Sequence, residues 1–333
     1  MLSNEQLLEM WSEDMAFNGK SARTVEANLE DMRKFFKTVD KPASDVTKRI
    51  VEGYLFGMTK QNGEKLNIST KSNTQSHIKN FFNWLYRSDE QEIESSLFYI
   101  DDTGHRIARK NPVENWESVL SGRDAKAERN PRKEGLTAKE ASLFLKTVKD
   151  HAENEQNAER KLLAYRDYAM VMLMIELGLR SSDVIALNKS NFDFGFGKKS
   201  LSYVVQKTKD RKNRDVSDTL ADALMNYWDM RDDDNDIAFA SSGGKRLANQ
   251  NINKQLKKYA DMAGIEKPMS CHILRHTCGT LVYIGTGGDI VMTKEVLGHK
   301  SINVTQIYTY SEEISNKISK ETTNVTNKLV ANW

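Results

Sequence analysis

The sequence predicts a mainly α chain of two domains, a helical bundle followed by a mixed α/β domain that holds a small antiparallel sheet. Length is the first reason: 333 residues exceed what one core commonly organises, since domains run to roughly 150 residues. Composition is the second: only 4 Pro occur, about a quarter of an average usage near 5%, while the helix formers Lys, Glu, Met and Leu are plentiful. The third is a break in apolar periodicity between Glu117 and Glu134, where Arg123, Lys126, Arg129, Arg132 and Lys133 gather around Gly122 and Pro131. The expected boundaries are therefore a helical domain over 1–118, a basic linker over 119–134 and a second domain over 135–333. The linker composition fits a solvated connector and also a strap across nucleic-acid phosphates.

In chain order, Leu7, Trp11 and Met15 share one helical face. Val25, Leu29, Met32, Phe36 and Val39 follow behind the candidate caps Ser21 and Thr24. A third run carries Val46, Ile50, Tyr54 and Met58, and a fourth, from near Thr70, carries Ile78, Phe81, Phe82 and Leu85. Residues 91–110 read as extra length to which no role is assigned. The second domain opens on a capping box, Thr137 to Glu140, with Leu136 before it as the staple and Phe144, Leu145 and Val148 on the buried face. The segment LLAYRDYAMVMLMIELG is apolar almost all round and ends at Gly178, which predicts a buried central helix with a glycine C-cap. Ser200 to Gln206 alternates around Leu201, Tyr203 and Val205; Lys207 to Asn213 reads as the turn of a hairpin that resumes at Val216. Helical spacing returns over Leu220–Met230, over Ile252, Leu256, Tyr259 and Ala263, and over His272–Ile284. Ile314, Ile318, Val325 and Leu329 mark an amphipathic tail helix.

Charge is balanced, 49 Lys+Arg against 47 Asp+Glu for a net +2, so any basic surface is local. The start, MLSNEQLLEMWSEDMAF, has neither the basic region nor the apolar run of a leader, and no stretch approaches the roughly 20 apolar residues of a membrane span. A cytoplasmic protein is expected, with its two cysteines, Cys271 and Cys278, as buried free thiols. Metal binding is not expected: His272 and His276 stand four apart, but Ile273 occupies the place where a zinc protease needs Glu. Gly197-Lys198-Lys199-Ser200 resembles the end of a phosphate loop, yet Phe192 stands where the leading glycine belongs.

Arg180, Lys207, His272, Arg275, His299 and Tyr308 remain. Each alone has an ordinary explanation as a cap, a surface charge or a packed ring. Together, in order and wording, they resemble the tyrosine recombinase (phage integrase) family. Gly178-Leu179-Arg180-Ser181-Ser182-Asp183 resembles its first arginine box, and Gln206-Lys207-Thr208-Lys209 its lysine hairpin. His272-Ile273-Leu274-Arg275-His276 is similar to its H-x-L-R-H box, and Leu297-Gly298-His299 through Ile307-Tyr308 to its last box. Asp183 replaces the usual Glu, a shorter carboxylate expected to orient Arg180. No proline follows the lysine turn, so Lys209 and Lys212 are alternatives to Lys207. Tyr310 is a second tyrosine near the nucleophile position, and His276 is expected to be structural, pointing away from the site.

The resemblance implies strand cleavage through a 3′-phosphotyrosine, which conserves bond energy by exchanging the ester and so needs no cofactor. Arg180 and Arg275 suit the non-bridging oxygens because a guanidinium offers paired donors. His272 is the candidate base for the Tyr308 phenol and His299 a hydrogen-bond donor to the phosphate. For Lys207 the resemblance implies protonation of the departing 5′ oxygen. It further implies a helical core-binding first domain, a double-stranded DNA partner carrying a specific recombination site, a Holliday junction, and a homo-tetramer joined through the C-terminal tail. A type IB topoisomerase and a non-catalytic DNA-binding protein of the same fold stay open as alternatives, as does packing of the tail on its own domain.

Overall fold

The chain divides into two compact units, Met1–Pro131 and Arg132–Trp333. The computed structural model describes residues 2–59, 62–64, 66–114, 135–195, 197 and 199–298. The basic residues Arg123, Lys126, Arg129, Arg132 and Lys133, together with His299, Tyr308, Tyr310 and the tail, lie outside the described residues.

Among its described residues the first unit holds four longer helices: α1 Asn4–Phe17, α2 Ala22–Val39, α3 Lys48–Gly57 and α4 Ile68–Leu85. α1 starts at Ser3 in a reciprocal capping box with Gln6, and Ser21 caps α2 by accepting the Thr24 N–H. The apolar faces meet in a core of aromatic rings, with Trp11 edge-on to Phe81 at 5.3 Å and Phe36 edge-on to Phe81 at 5.5 Å. The stretch left without a role folds as a short helix, α5 Gln91–Ser96, and an antiparallel hairpin of β1 Phe98–Ile100 with β2 Arg106–Ala108. Asp101 organises its loop by accepting the Thr103 and His105 N–H groups. Arg109 fastens the returning strand to the carbonyl of Ser44 at 3.0 Å.

In the second unit, α6 Ala138–Asn154 begins with the expected Thr137–Glu140 capping box. Leu136 just before it is buried and donates its N–H to Thr277 Oγ1 at 2.8 Å. α7 Ala158–Leu177 is the central helix, and Met170, Val171, Leu173 and Met174 are all buried; each such side chain contributes about 1.5–3 kcal/mol through its removal from water. Its buried polar pair is satisfied: Arg166 donates to the Ala240 carbonyl, and Asp167 accepts from Arg166 and from the Tyr259 hydroxyl. Next come α8 Ser181–Ala186 and a three-stranded antiparallel sheet, β3 Phe192–Asp193, β4 Ser200–Val204 and β5 Arg211–Asp215, in that order. Four more helices follow among the described residues: α9 Asp218–Asp229, α10 Asn249–Met262, α11 Cys271–Gly285 and α12 Ile290–Leu297. No helix among the described residues is long and apolar enough to cross a membrane.

The hairpin departs from the expected register. Its turn is only Gln206–Asp210, and Arg211–Asp215, of which residues 211–213 read as turn in the sequence, pairs with β4 from Val204↔Arg211 to Ser200↔Asp215. A strand made of Arg, Lys, Asn, Arg and Asp has no apolar alternation of its own; β4, with Leu201 and Tyr203 on the core, imposes it.

Candidate active site

The site is assembled where α7 ends. Gly178 is left-handed at φ 59°, and a Cβ there would lie 2.7 Å from Leu297 Cδ2 and 2.9 Å from Cys278 Sγ. Both conformation and space therefore demand glycine. The turn delivers Arg180, half-buried, to the N-cap of α8. Three residues on, Asp183 is buried and its Oδ1 accepts the Gln206 N–H at 2.8 Å. Among the ion pairs of the described residues none joins Asp183 to Arg180. The expected orienting contact is thus replaced by a latch that fixes the base of the lysine hairpin to α8.

Directly paired residues of an antiparallel sheet project from the same face. Tyr203 is opposite Lys212 and Leu201 opposite Arg214, so those two cations share the face that carries the core residues. Lys207 instead occupies the exposed turn, which is closed by the Lys209 N–H on the Val205 carbonyl at 2.8 Å with Lys209 at φ 62°. A cavity of about 150 Å³ is lined by Arg180, Asp183, Tyr203, Lys212, Arg214 and Arg275, among others. Lys212, one of the alternatives to Lys207, therefore faces the cavity while Lys207 does not. Burial raises the Tyr203 phenol, Asp183 adds to the rise, and Arg214, Arg275 and Arg180 oppose it.

α11 begins at Ser270, whose hydroxyl accepts the Ile273 N–H. Arg275 is buried and donates from Nη1 to the Gly178 carbonyl at 2.6 Å and from Nη2 to the Leu297 carbonyl at 2.5 Å. Its guanidinium plane is therefore set by the ends of α7 and α12. Four residues apart on a helix means one face, and His276 turns toward His272, Nε2 to Nε2 at 2.9 Å. The expectation that His276 points away is overturned by that periodicity: His272 is exposed, His276 buried, and one ring nitrogen donates to the other. Both cysteines are free and buried, and burial pushes each thiol up to about 11. α12 closes on Gly298 at φ 62°, the residue before His299. Arg214 donates from Nη1 to the Val296 carbonyl in this last turn at 2.6 Å; in the sequence only its register opposite Leu201 marks it. Tyr203 was legible as a core residue of its strand, not as a wall of the cavity.

Residues 135–313 match the phage integrase family. The tyrosine recombinase XerC of Thermodesulfovibrio yellowstonii is 26% identical over 301 residues, 88% of this chain and 87% of that protein. XerC of Neisseria meningitidis serogroup C is 26% identical over 311 residues, 90% and 89% of the two chains. Among solved structures, the XerH site-specific recombinase in a post-cleavage complex with palindromic difH substrate gives a TM-score of 0.69 at 18% identity, covering 96% of this chain and 84% of that one. A lambda integrase tetramer bound to a Holliday junction gives 0.65 at 16% identity, with 92% and 77% covered. The structural likenesses are of fold. Because the family match spans more than half of the 333 residues, this chain belongs to the phage integrase family of tyrosine recombinases, site-specific enzymes that break and rejoin DNA.

Proposed function

We propose that this recombinase cuts one strand of a specific duplex site by attack of the Tyr308 oxygen on the scissile phosphorus. As the new P–O bond forms, the bond to the 5′ oxygen breaks, leaving a 3′-phosphotyrosine and a free 5′ hydroxyl. Attack by the 5′ hydroxyl of a second duplex reverses the step, restores the tyrosine and builds a Holliday junction. Ester exchange conserves the bond energy, so the cycle needs no nucleotide cofactor. The observation that carries this reading is the convergence of Arg180 and Arg275, from two elements, on one cavity. Two guanidinium groups there match the charge that grows on the non-bridging oxygens, and preorganised donors of this kind each contribute roughly 3–4 kcal/mol to the transition state.

The remaining roles follow from chemistry. The phenol of Tyr308, with an ordinary pKa near 10, gives its proton to His272. The 5′ oxygen takes one from Lys207, whose exposed turn suits a group that must enter a DNA groove. Lys212 adds positive charge on the cavity side, and His299 donates a hydrogen bond to the phosphate. Asp183 acts through the hairpin it latches. Domain 1–118 and the linker residues Arg123, Lys126, Arg129, Arg132 and Lys133 hold the duplex by its phosphates, which makes affinity fall steeply with salt. Four copies assemble on two sites by exchanging the tail beyond Ser311.

The test uses a duplex recovered by binding of the full chain from a randomised pool, nicked near the scissile phosphate so that the released 5′ fragment diffuses away. The parent protein should trap a covalent adduct that mass spectrometry assigns to Tyr308. Tyr308→Phe should bind equally and trap none; an adduct that persists moves the nucleophile to Tyr310.

A further inference from the structure

Two arginines from different elements hold the last turn of α12, and only one of them takes part in the chemistry proposed above. Arg275 of α11 donates to the Leu297 carbonyl at 2.5 Å, and Arg214 of β5 donates to the Val296 carbonyl at 2.6 Å. Carbonyls at a helix C-terminus have no partner within the helix and form the negative end of its dipole, so a guanidinium is a strong ligand for them. The bonds fall on the consecutive carbonyls of Val296 and Leu297, in a turn that packs on the end of α7. Leu297 is buried, and its Cδ2 approaches Gly178 so closely that a Cβ there would lie 2.7 Å away. The charges of Arg214 and Arg275 reach the same two neighbours, Cys278 and Tyr203. Three residues after Val296 comes His299. The turn that ends at Gly298 is thus held by two guanidinium groups, one reaching from the hairpin and one from the helix that carries His272.

We propose that Arg214 is a positioning residue of the recombination site: it anchors the α12 terminus so that His299 is presented to the phosphate held by Arg180 and Arg275. The proposal rests on the role given to His299 above. A guanidinium committed to a carbonyl differs from one committed to a phosphate in what its removal does. Loss of a ground-state phosphate contact weakens binding and flattens its salt dependence; loss of an anchor leaves both alone, slows the chemistry and loosens the turn it holds.

The test compares full-length Arg214→Gln and Arg214→Lys with the parent on the selected nicked duplex. Binding and its salt slope should match the parent. Adduct formation should fall about a hundredfold in Arg214→Gln, the scale of a misplacement near 1 Å, and less in Arg214→Lys, which keeps a charge and a donor. Amide exchange over 290–298 in the DNA-free chain should quicken about tenfold, with α7 unchanged. A salt slope reduced by about one with matching loss of affinity would make Arg214 a phosphate contact and overturn the proposal. A parental adduct rate, or parental exchange over 290–298, overturns it too. Should Arg214→Gln lose protection in α7, Arg214→Lys decides: native α7 with slowed cleavage supports the anchor, and native α7 with the parental rate rejects it. A His299→Ala chain that cleaves at the parental rate removes the His299 reading and this proposal with it. A slow His299→Ala beside a parental Arg214→Gln removes this proposal alone.

Discussion

In the first unit rings meet rings: Phe35 stands edge-on to Phe82 at 6.3 Å, and Trp11 and Phe36 both stand edge-on to Phe81. In the second unit the cavity wall is fastened by side chains that reach distant backbone, Arg275 to Gly178 and Leu297, Arg214 to Val296, and the Asp183 carboxylate to the Gln206 N–H. Apolar contacts stabilise without much direction and tolerate small displacements. Hydrogen bonds weaken steeply once their geometry is lost. A site that must align a phosphate with its attacking oxygen needs the second kind of fastening. Substitutions in the bundle should therefore be read as stability, and substitutions at the cavity wall as rate.

The hardest test of that contrast is Phe81→Ala. Phe81 is fully buried, and removing its ring should lower the stability of the first unit by about 3–5 kcal/mol. Hydrogen exchange should report the loss over α1, α2 and α4 and parental protection over α7; equal losses in both units would break the contrast. Arg275→Ala comes next. It should slow adduct formation by roughly a hundredfold to a thousandfold while binding of the same duplex changes little. Equal losses of binding and cleavage would reduce Arg275 to a phosphate anchor.

The contrast also explains what the sequence made legible. The bundle helices and α7 show themselves because burial leaves a period of 3.6 in the residues, and the Thr137–Glu140 box and Gly178 mark ends by local chemistry. Strand β5 did not, because its five polar residues are ordered by a partner strand. The arginines and His272 were recognisable as wording, one box at a time. Their fastenings were not: Asp183 looked like a partner for Arg180 three residues away, yet it accepts an N–H 23 positions further along. Arg214 lies 82 positions from its carbonyl. Contacts of that span leave no period behind. His276 is the exception, since its four-residue step from His272 was in view and should have placed both rings on one face.

The smallest effect concerns a half-buried polar cluster that joins two helices of the bundle. Asp31 of α2 accepts from His77 Nδ1 at 2.7 Å and from the Thr74 hydroxyl of α4 at 3.0 Å. Burial pushes its carboxyl up, but the bonds from His77 and Thr74 outweigh burial and hold it below its ordinary value. A carboxyl with a lower pKa folded than unfolded contributes stability above its unfolded pKa, near 4, and that contribution is lost as pH falls through the folded value. Asp31→Asn should therefore destabilise the first unit by about 1.5 kcal/mol at pH 7, the low end of the scale for a hydrogen bond to a charged group, because the cluster is only half-buried. Denaturation midpoints measured at pH 7 and pH 3 should find that gap narrowing in acid as the parent loses its own advantage. A gap of constant size would leave apolar packing as the whole account of the bundle. A narrowing gap places a directional contact there as well, one whose loss costs stability and leaves the chemistry of the other unit untouched.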